Sequence, residues 1–295
     1  MYSEIRNILI PLNGGGNIDS VLKTGFAYAK LFNAHLSTVL VGDDPNEAAA
    51  LAGEGLSGAM IHEMMEAAEH ESQRRMLQIR LKFDSFVEEH GIVREHTFVP
   101  GRLPEGDRVS ATLELLTGSE HEAVTWRARL SDMTLMPHLS LTDNVRASET
   151  LHAVLFDSGR PLVIAPVEPP KTFGKRICIA WNGTSEASAA LRAVLPWAHQ
   201  ADEVQVLYSP EYHRRGPEAE KVLDYLQLHG IQATIAPFGS KERNVGVGLL
   251  EACQEFGADM LAMGAYSHSR LRQMIIGGVT RHVLEKAKLV VLMSR

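Results

Sequence analysis

DMLAMGAYSHSRLRQMIIGGVTRHVLEKAKLVVLM, residues 259–293, sets out a strand, a glycine-bounded loop, a helix and a second strand. The apolar run ends at Gly264. A polar loop carrying His268, Arg270 and Arg272 follows, and the pair Gly277-Gly278 opens the helix. These are the parts of an anion cradle. Glycines let a backbone approach a ligand, and the unpaired amides at a helix N-terminus point at negative charge. Amides of Gly277, Gly278, Val279 and Thr280 would face phosphates, with the Thr280 hydroxyl as a further donor. His268, Arg270 or Arg272 would supply positive charge.

Short apolar strands alternate with helical periods on either side of this stretch. The pattern places strands near 176–182, 203–208, 231–237, 259–263 and 289–293, with helices near 185–199, 215–229, 242–256 and 278–287. Such alternation implies a parallel sheet covered on both faces. In such a sheet ligands bind beyond the carboxyl ends of the strands, where strand order reverses. Asn182 ends the first strand of this half and Gly264 ends another. The two are expected to be neighbours across that crevice, with Asn182 placed to bond a base or ribose.

The first half repeats the plan. RNILIPLNGGG (6–16) parallels KRICIAWNGTS (175–185), and VLFDSGRPLVIAP (154–166) parallels VLEKAKLVVLMS (283–294). Strands are expected near 6–12, 36–42, 94–99, 131–136 and 161–165. Asn13 and Asn182 lie 169 residues apart and the closing segments 129, so the first half holds 40 extra residues. They fall around 45–91, where Met76, Ile79, Phe83, Phe86 and Val87 recur on one helical face. The chain therefore reads as two tandem doubly wound α/β domains, 1–168 and 172–295, related as a pseudo-two-fold pair. A proline-rich tether, PVEPPKTFG (166–174), joins them.

Composition narrows the function. The chain of 295 residues has a net charge of −7, unevenly divided. Residues 1–168 carry 14 Lys and Arg against 24 Asp and Glu, and residues 169–295 carry 15 against 12. The second half is the better host for an anion. No basic stripe with interleaved aromatics marks a nucleic-acid binder, and no apolar run is long enough to span a membrane. The start lacks the regions of a signal peptide. Cys178 and Cys253 do not form a C-x-x-C pair, so neither zinc nor redox chemistry is suggested. The expectation is a reduced, cytoplasmic location.

The 264–280 segment resembles the universal stress proteins. That family carries a strand ending in Gly, two residues, Gly, nine residues, then Gly-Ser or Gly-Thr. Here Gly264, two residues, Ser267, nine residues and Gly277-Gly278 keep the spacing, and ICIAWNGTSEASAALRAV (177–194) is similar to the family's first strand and helix. The resemblance implies an adenine nucleotide alpha hydrolase-like fold. It also implies binding of ATP, ADP or AMP, with or without Mg2+, on Asn182, Gly264, Ser267, Gly277, Gly278, Val279 and Thr280. Three positions depart from the pattern: Ser267 replaces a glycine, Gly278 replaces a hydroxyl residue, and Asn182 replaces an aspartate. The first half's equivalent loop, MPHLSLTDNV (136–145), has no glycine and is too short for the cradle. It is expected to bind no nucleotide and to replace the second subunit of the family's dimer, with association of two chains left open.

Other motifs carry less. NGGGNIDS (13–20) approaches the loop of pyrophosphatase-type ATP enzymes, but one residue too many precedes Asp19-Ser20. A turn in which Asp19 or Asn17 caps the next helix is the simpler reading. His62, Glu66 and His70 share one helix face and read as a surface ion pair. No positioned nucleophile, metal cage or catalytic pair is visible, so any ATPase activity should be slow. The expected role is a stress-response or regulatory protein that binds a nucleotide. The alternative is a scaffold whose cradle has decayed, and an ATP-consuming enzyme built on residues 13–20 is a third option.

Overall fold

The repeat folds as two copies of one plan. The computed structural model describes residues 5–12, 18–44, 57–95, 109–138, 145–169, 171–212, 216–241, 243–266 and 278–295. The first copy runs β1 (Asn7–Pro11), α1 (Ile18–Phe32), β2 (His35–Gly42), α2 (Gly58–Glu89), β3 (Val93–Arg94), β4 (Ser110–Thr117), α3 (Glu120–Ala128), β5 (Met133–Pro137), α4 (Val145–Asp157) and β6 (Leu162–Ala165). The second runs β7 (Arg176–Trp181), α5 (Ser185–Ala198), β8 (Glu203–Tyr208), α6 (Glu220–Leu228), β9 (Thr234–Pro237), α7 (Val245–Phe256), β10 (Met260–Gly264), α8 (Gly278–Lys286) and β11 (Val290–Ser294).

All strands join one sheet in the order β3-β4-β2-β1-β5-β6-β11-β10-β7-β8-β9. Every pairing inside a copy is parallel. The copies meet through one antiparallel pairing, β6 with β11, in which Val163 faces Leu292. The order reads outward from this seam as last, last but one, first and second strand on both sides. That mirror order is the expected pseudo-two-fold, realised edge to edge. Strands buried on both faces need continuous apolar runs, and LVIA in β6 and VVLM in β11 supply them.

The sheet faces carry separate cores. Tyr28 on α1, Phe83 on α2, Trp197 on α5 and Leu226 on α6 belong to one. Val124 on α3, Leu151 on α4, Leu249 on α7 and Val283 on α8 belong to the other. Tyr28 and Phe32 meet Trp197 edge-on at 5.5 and 5.1 Å, so aromatic contacts bridge the copies on the first face. Each such pair adds about 1 kcal/mol beyond its buried area. A polar clamp is also duplicated. Asp132 accepts the amides of Arg6 and Asn7 at 2.7 and 2.9 Å, and Asp259 accepts those of Lys175 and Arg176 at 3.0 and 3.1 Å.

One feature of the first copy departs from the sequence reading and another follows it. The strand expected near 94–99 is only Val93–Arg94 within the described residues. The strand that lies along β2 is Ser110–Thr117, paired over its whole length. The extra residues of the first copy include a helix of 32 residues, α2, where the second copy has the nine of α6. Ser57 caps α2 by accepting the Met60 amide, and Ile79, Phe83, Phe86 and Val87 are its buried apolar side chains, as the periodicity implied. No described helix is long and apolar enough to cross a membrane.

Candidate functional site

The carboxyl ends of β7, β8, β9 and β10 lie on one edge of the sheet because the four strands are parallel. β7 has β8 on one side and β10 on the other, so the strand order reverses there. A cleft of about 520 Å³ opens at that point. Trp181 and Asn182 approach it from β7, Ser209 from β8, Phe238 from β9, Met263 and Gly264 from β10, and Val279 and Thr280 from α8. The lining combines an apolar, partly aromatic wall with a few polar atoms and a helix start, the usual make-up of a small-molecule site.

Of the residues expected at the cradle, the structure brings Asn182, Gly264, Val279 and Thr280 into this lining. Gly278 is the first residue of α8, is exposed, and has nothing within 4 Å of where a Cβ would stand. Ser267, His268, Arg270, Arg272 and Gly277 lie outside the described residues. So do Asn13 and Asn17 of the glycine-rich loop, while Asp19 sits in the first turn of α1.

Several of these residues have structural duties. A Cβ on Gly264 would lie 2.4 Å from the Ala187 amide nitrogen and 2.6 Å from the Glu186 carbonyl carbon. The glycine is therefore needed for β10 to pack on the start of α5, whatever the cleft holds. Asn182 Oδ1 accepts from the amide and hydroxyl of Thr184 at 3.2 and 2.9 Å, which shapes the turn into α5. Its Nδ2 is the atom left to meet a ligand. The Thr280 hydroxyl accepts the Tyr266 amide at 3.4 Å, and its own proton can still be donated.

Ser209 and Tyr266 were not singled out in the sequence. Ser209 is 5% exposed, lines the cleft, and its hydroxyl has no partner among the described residues. A buried hydroxyl without a partner is costly, and a ligand atom would satisfy it. Tyr266 adopts a left-handed backbone, φ 55°, and reaches the other copy. Its hydroxyl lies 2.9 Å from His152 Nε2 on α4, and His152 Nδ1 lies 2.6 Å from the Ser148 carbonyl. A carbonyl only accepts, so Nδ1–H donates to it, and Nε2 is left to pair with the tyrosine hydroxyl. Burial pushes the Tyr266 hydroxyl up to about 12, which keeps it a donor at neutral pH. A strand-end serine is visible in sequence, but positions 114 residues apart give no sign that they meet.

The other candidates separate from this site. His62 and Glu66 form an exposed pair at 3.4 Å. No group of three or more metal-ligating side chains occurs among the described residues. Cys178 and Cys253 are buried free thiols. They hydrogen-bond to one another inside the second core, and that contact with burial raises the Cys253 thiol well above its ordinary value. The cleft at the carboxyl ends of β2 and β4 measures about 440 Å³ and is lined by Asp43, Glu120, His121 and Glu149.

Comparison with known proteins agrees with the fold. The model of the universal stress protein family matches residues 174–295. A universal stress protein from Archaeoglobus fulgidus DSM 4304 superposes with a TM-score of 0.65 at 14% identity, covering 100% of this chain and 97% of that one. A protein of unknown function from Pseudomonas aeruginosa PAO1 superposes with a TM-score of 0.56 at 14% identity, covering 98% and 92%. At such identities the likeness shows the fold. No curated protein matches the sequence. Residues 174–295 therefore match the universal stress protein family, and the first half repeats the same fold.

Proposed function

We propose that this stress-response protein binds ATP, ADP or AMP in the cleft between β7, β8, β10 and α8, as a regulatory module and not as a fast enzyme. The unpartnered Ser209 hydroxyl in the lining carries the reading most directly. The base would lie on the apolar wall of Trp181, Phe238 and Leu249, within reach of Asn182 Nδ2 and Ser209. The phosphates would lie at the start of α8, whose amides favour negative charge. Any Mg2+ would ride on the phosphates, since no described carboxylate lines this cleft. The acid-lined cleft of the first copy disfavours a phosphate, which supports one nucleotide per chain.

Isothermal titration with ATP, ADP and AMP tests this against a Gly278→Asp variant. An aspartate at the first helical position complements the helix dipole and has room, so the fold should persist. It would also repel phosphate. Binding by the wild type and a tenfold or greater loss in the variant are expected. Equal binding by both would move the phosphates elsewhere. Absence of binding, with no nucleotide mass retained in native mass spectrometry, would favour the scaffold role.

A further inference from the structure

The seam between the copies leaves a second cleft, of about 890 Å³, on the α5 side of the sheet. It lies between the turn before β6, the flank of α5 and the end of β11, and shares no lining residue with the nucleotide cleft. Arg160 from the first copy and Arg192 and Arg295 from the second all line it. All three are exposed, and none makes an ion pair with a described carboxylate. Arg160 Nε donates to the Arg129 carbonyl at 3.3 Å, and the Arg295 guanidinium lies 4.0 Å over the Phe156 ring. Asp132 is the one acid in the lining among the described residues. Its Oδ2 is already engaged by the amides of Arg6 and Asn7.

We propose that this seam cleft binds a small polyanion of the oligophosphate class, held between Arg160 of one copy and Arg192 of the other. The surroundings make the arginines stand out. The chain carries a net charge of −7, yet Arg160 and Arg192 line this cleft from opposite copies with Asp132 as the acid beside them, while the Arg295 guanidinium is held over the Phe156 ring. A concave wall focuses their field, and guanidinium forks match phosphate oxygens two at a time. Ala193, Pro196 and the buried Trp197 add an apolar floor that limits competition by water. Arginines on opposite sides of a seam call for a ligand with more than one anionic group. Such a ligand would tie the copies together and raise the melting temperature.

Titration of the intact protein with sodium tripolyphosphate tests the proposal, by calorimetry and by thermal shift, in the wild type and in Arg192→Glu, Arg160→Gln and Gly278→Asp variants. Arg192 is exposed, so its replacement should leave the fold intact, and an unchanged melting temperature without ligand checks this. Expected are binding and a rise in melting temperature for the wild type. Arg192→Glu should lose at least tenfold in affinity and Arg160→Gln severalfold, while Gly278→Asp retains the Arg192-dependent binding. Raising the salt concentration should weaken it. Absence of binding in the wild type, full binding in Arg192→Glu, or loss only in Gly278→Asp would overturn the proposal. The nucleotide reading stands or falls separately, because Gly278→Asp and Arg192→Glu address clefts with no residue in common.

Discussion

Ser209, Gly264 and His35 show three ways in which single residues serve this fold. The Ser209 hydroxyl is buried and unpartnered, so Ser209→Ala removes a cost from the free protein and a contact from the complex. The variant should be as stable as the wild type or more so by up to about 1 kcal/mol, yet bind ATP about two- to tenfold more weakly. A loss of stability with unchanged affinity would assign the hydroxyl to the fold. Gly264 works the other way: its missing side chain is required by the backbone of α5, so its place in the family's motif is structural before it is anything else. His35 is 4% exposed at the start of β2, with Ser110 Oγ 2.8 Å from Nδ1 and Thr112 Oγ1 3.1 Å from Nε2. Burial lowers its pKa from 6.5 to about 4. Between these values the unfolded chain takes up a proton that the folded chain refuses. Stability is therefore fullest above pH 6.5 and is lost as pH falls towards 4, by up to about 3 kcal/mol from this residue. Denaturant titrations at several pH values should show that loss, and His35→Asn should reduce it. An unchanged slope in the variant would assign the acid sensitivity to other groups.

At the scale of elements, the second copy was legible in the kind and order of its elements, although the strand expected at 231–237 is Thr234–Pro237 and the helix expected at 215–229 is Glu220–Leu228. Its central strands β10 and β11 are short, apolar and buried, and its helices begin at caps such as Thr184 and Asn244. The first copy was harder for a physical reason. β4 reads SATLELLT, leucine-rich and half exposed near the sheet edge, so neither a buried apolar run nor a clean alternation marks it. The β-branched run before it drew the expectation to 94–99. Of the residues that the spacing marked as a cradle, Asn182 and Gly264 come together at the strand ends, and Ser267 and Gly277 lie outside the described residues. Ser209 shows in the sequence only as a serine at a strand end, and Phe238 and Tyr266 could not be read in advance, because their place depends on which strands are neighbours. The seam has its own consequence. β6 stands where a second copy of β11 would stand in a symmetric pair, and without it β11 is an open edge. A fragment comprising residues 174–295 should self-associate through β11, giving a dimer mass by light scattering where the whole chain does not need that contact. A monomeric, folded fragment would show that the pairing of β6 with β11 contributes little.

As a whole molecule, the chain is a pair of like folds fused through one sheet, with different surfaces on the two copies. One copy places acidic side chains at its strand ends and the other places a helix start, an unpartnered hydroxyl and an aromatic wall there. Tyr266 and His152 tie the cleft at the strand ends of one copy to α4 of the other. The negative charge lies mostly on the first half, which leaves the second half the better host for the proposed nucleotide. The most direct measurement is a crystal structure of the chain grown with a non-hydrolysable ATP analogue. The account expects the base against Trp181 and Phe238, a hydrogen bond to Ser209, and phosphates against the amides of Gly278 and Val279. A nucleotide bound only at the arginine-lined seam, or a cleft beside Ser209 left empty at saturating analogue, would contradict it.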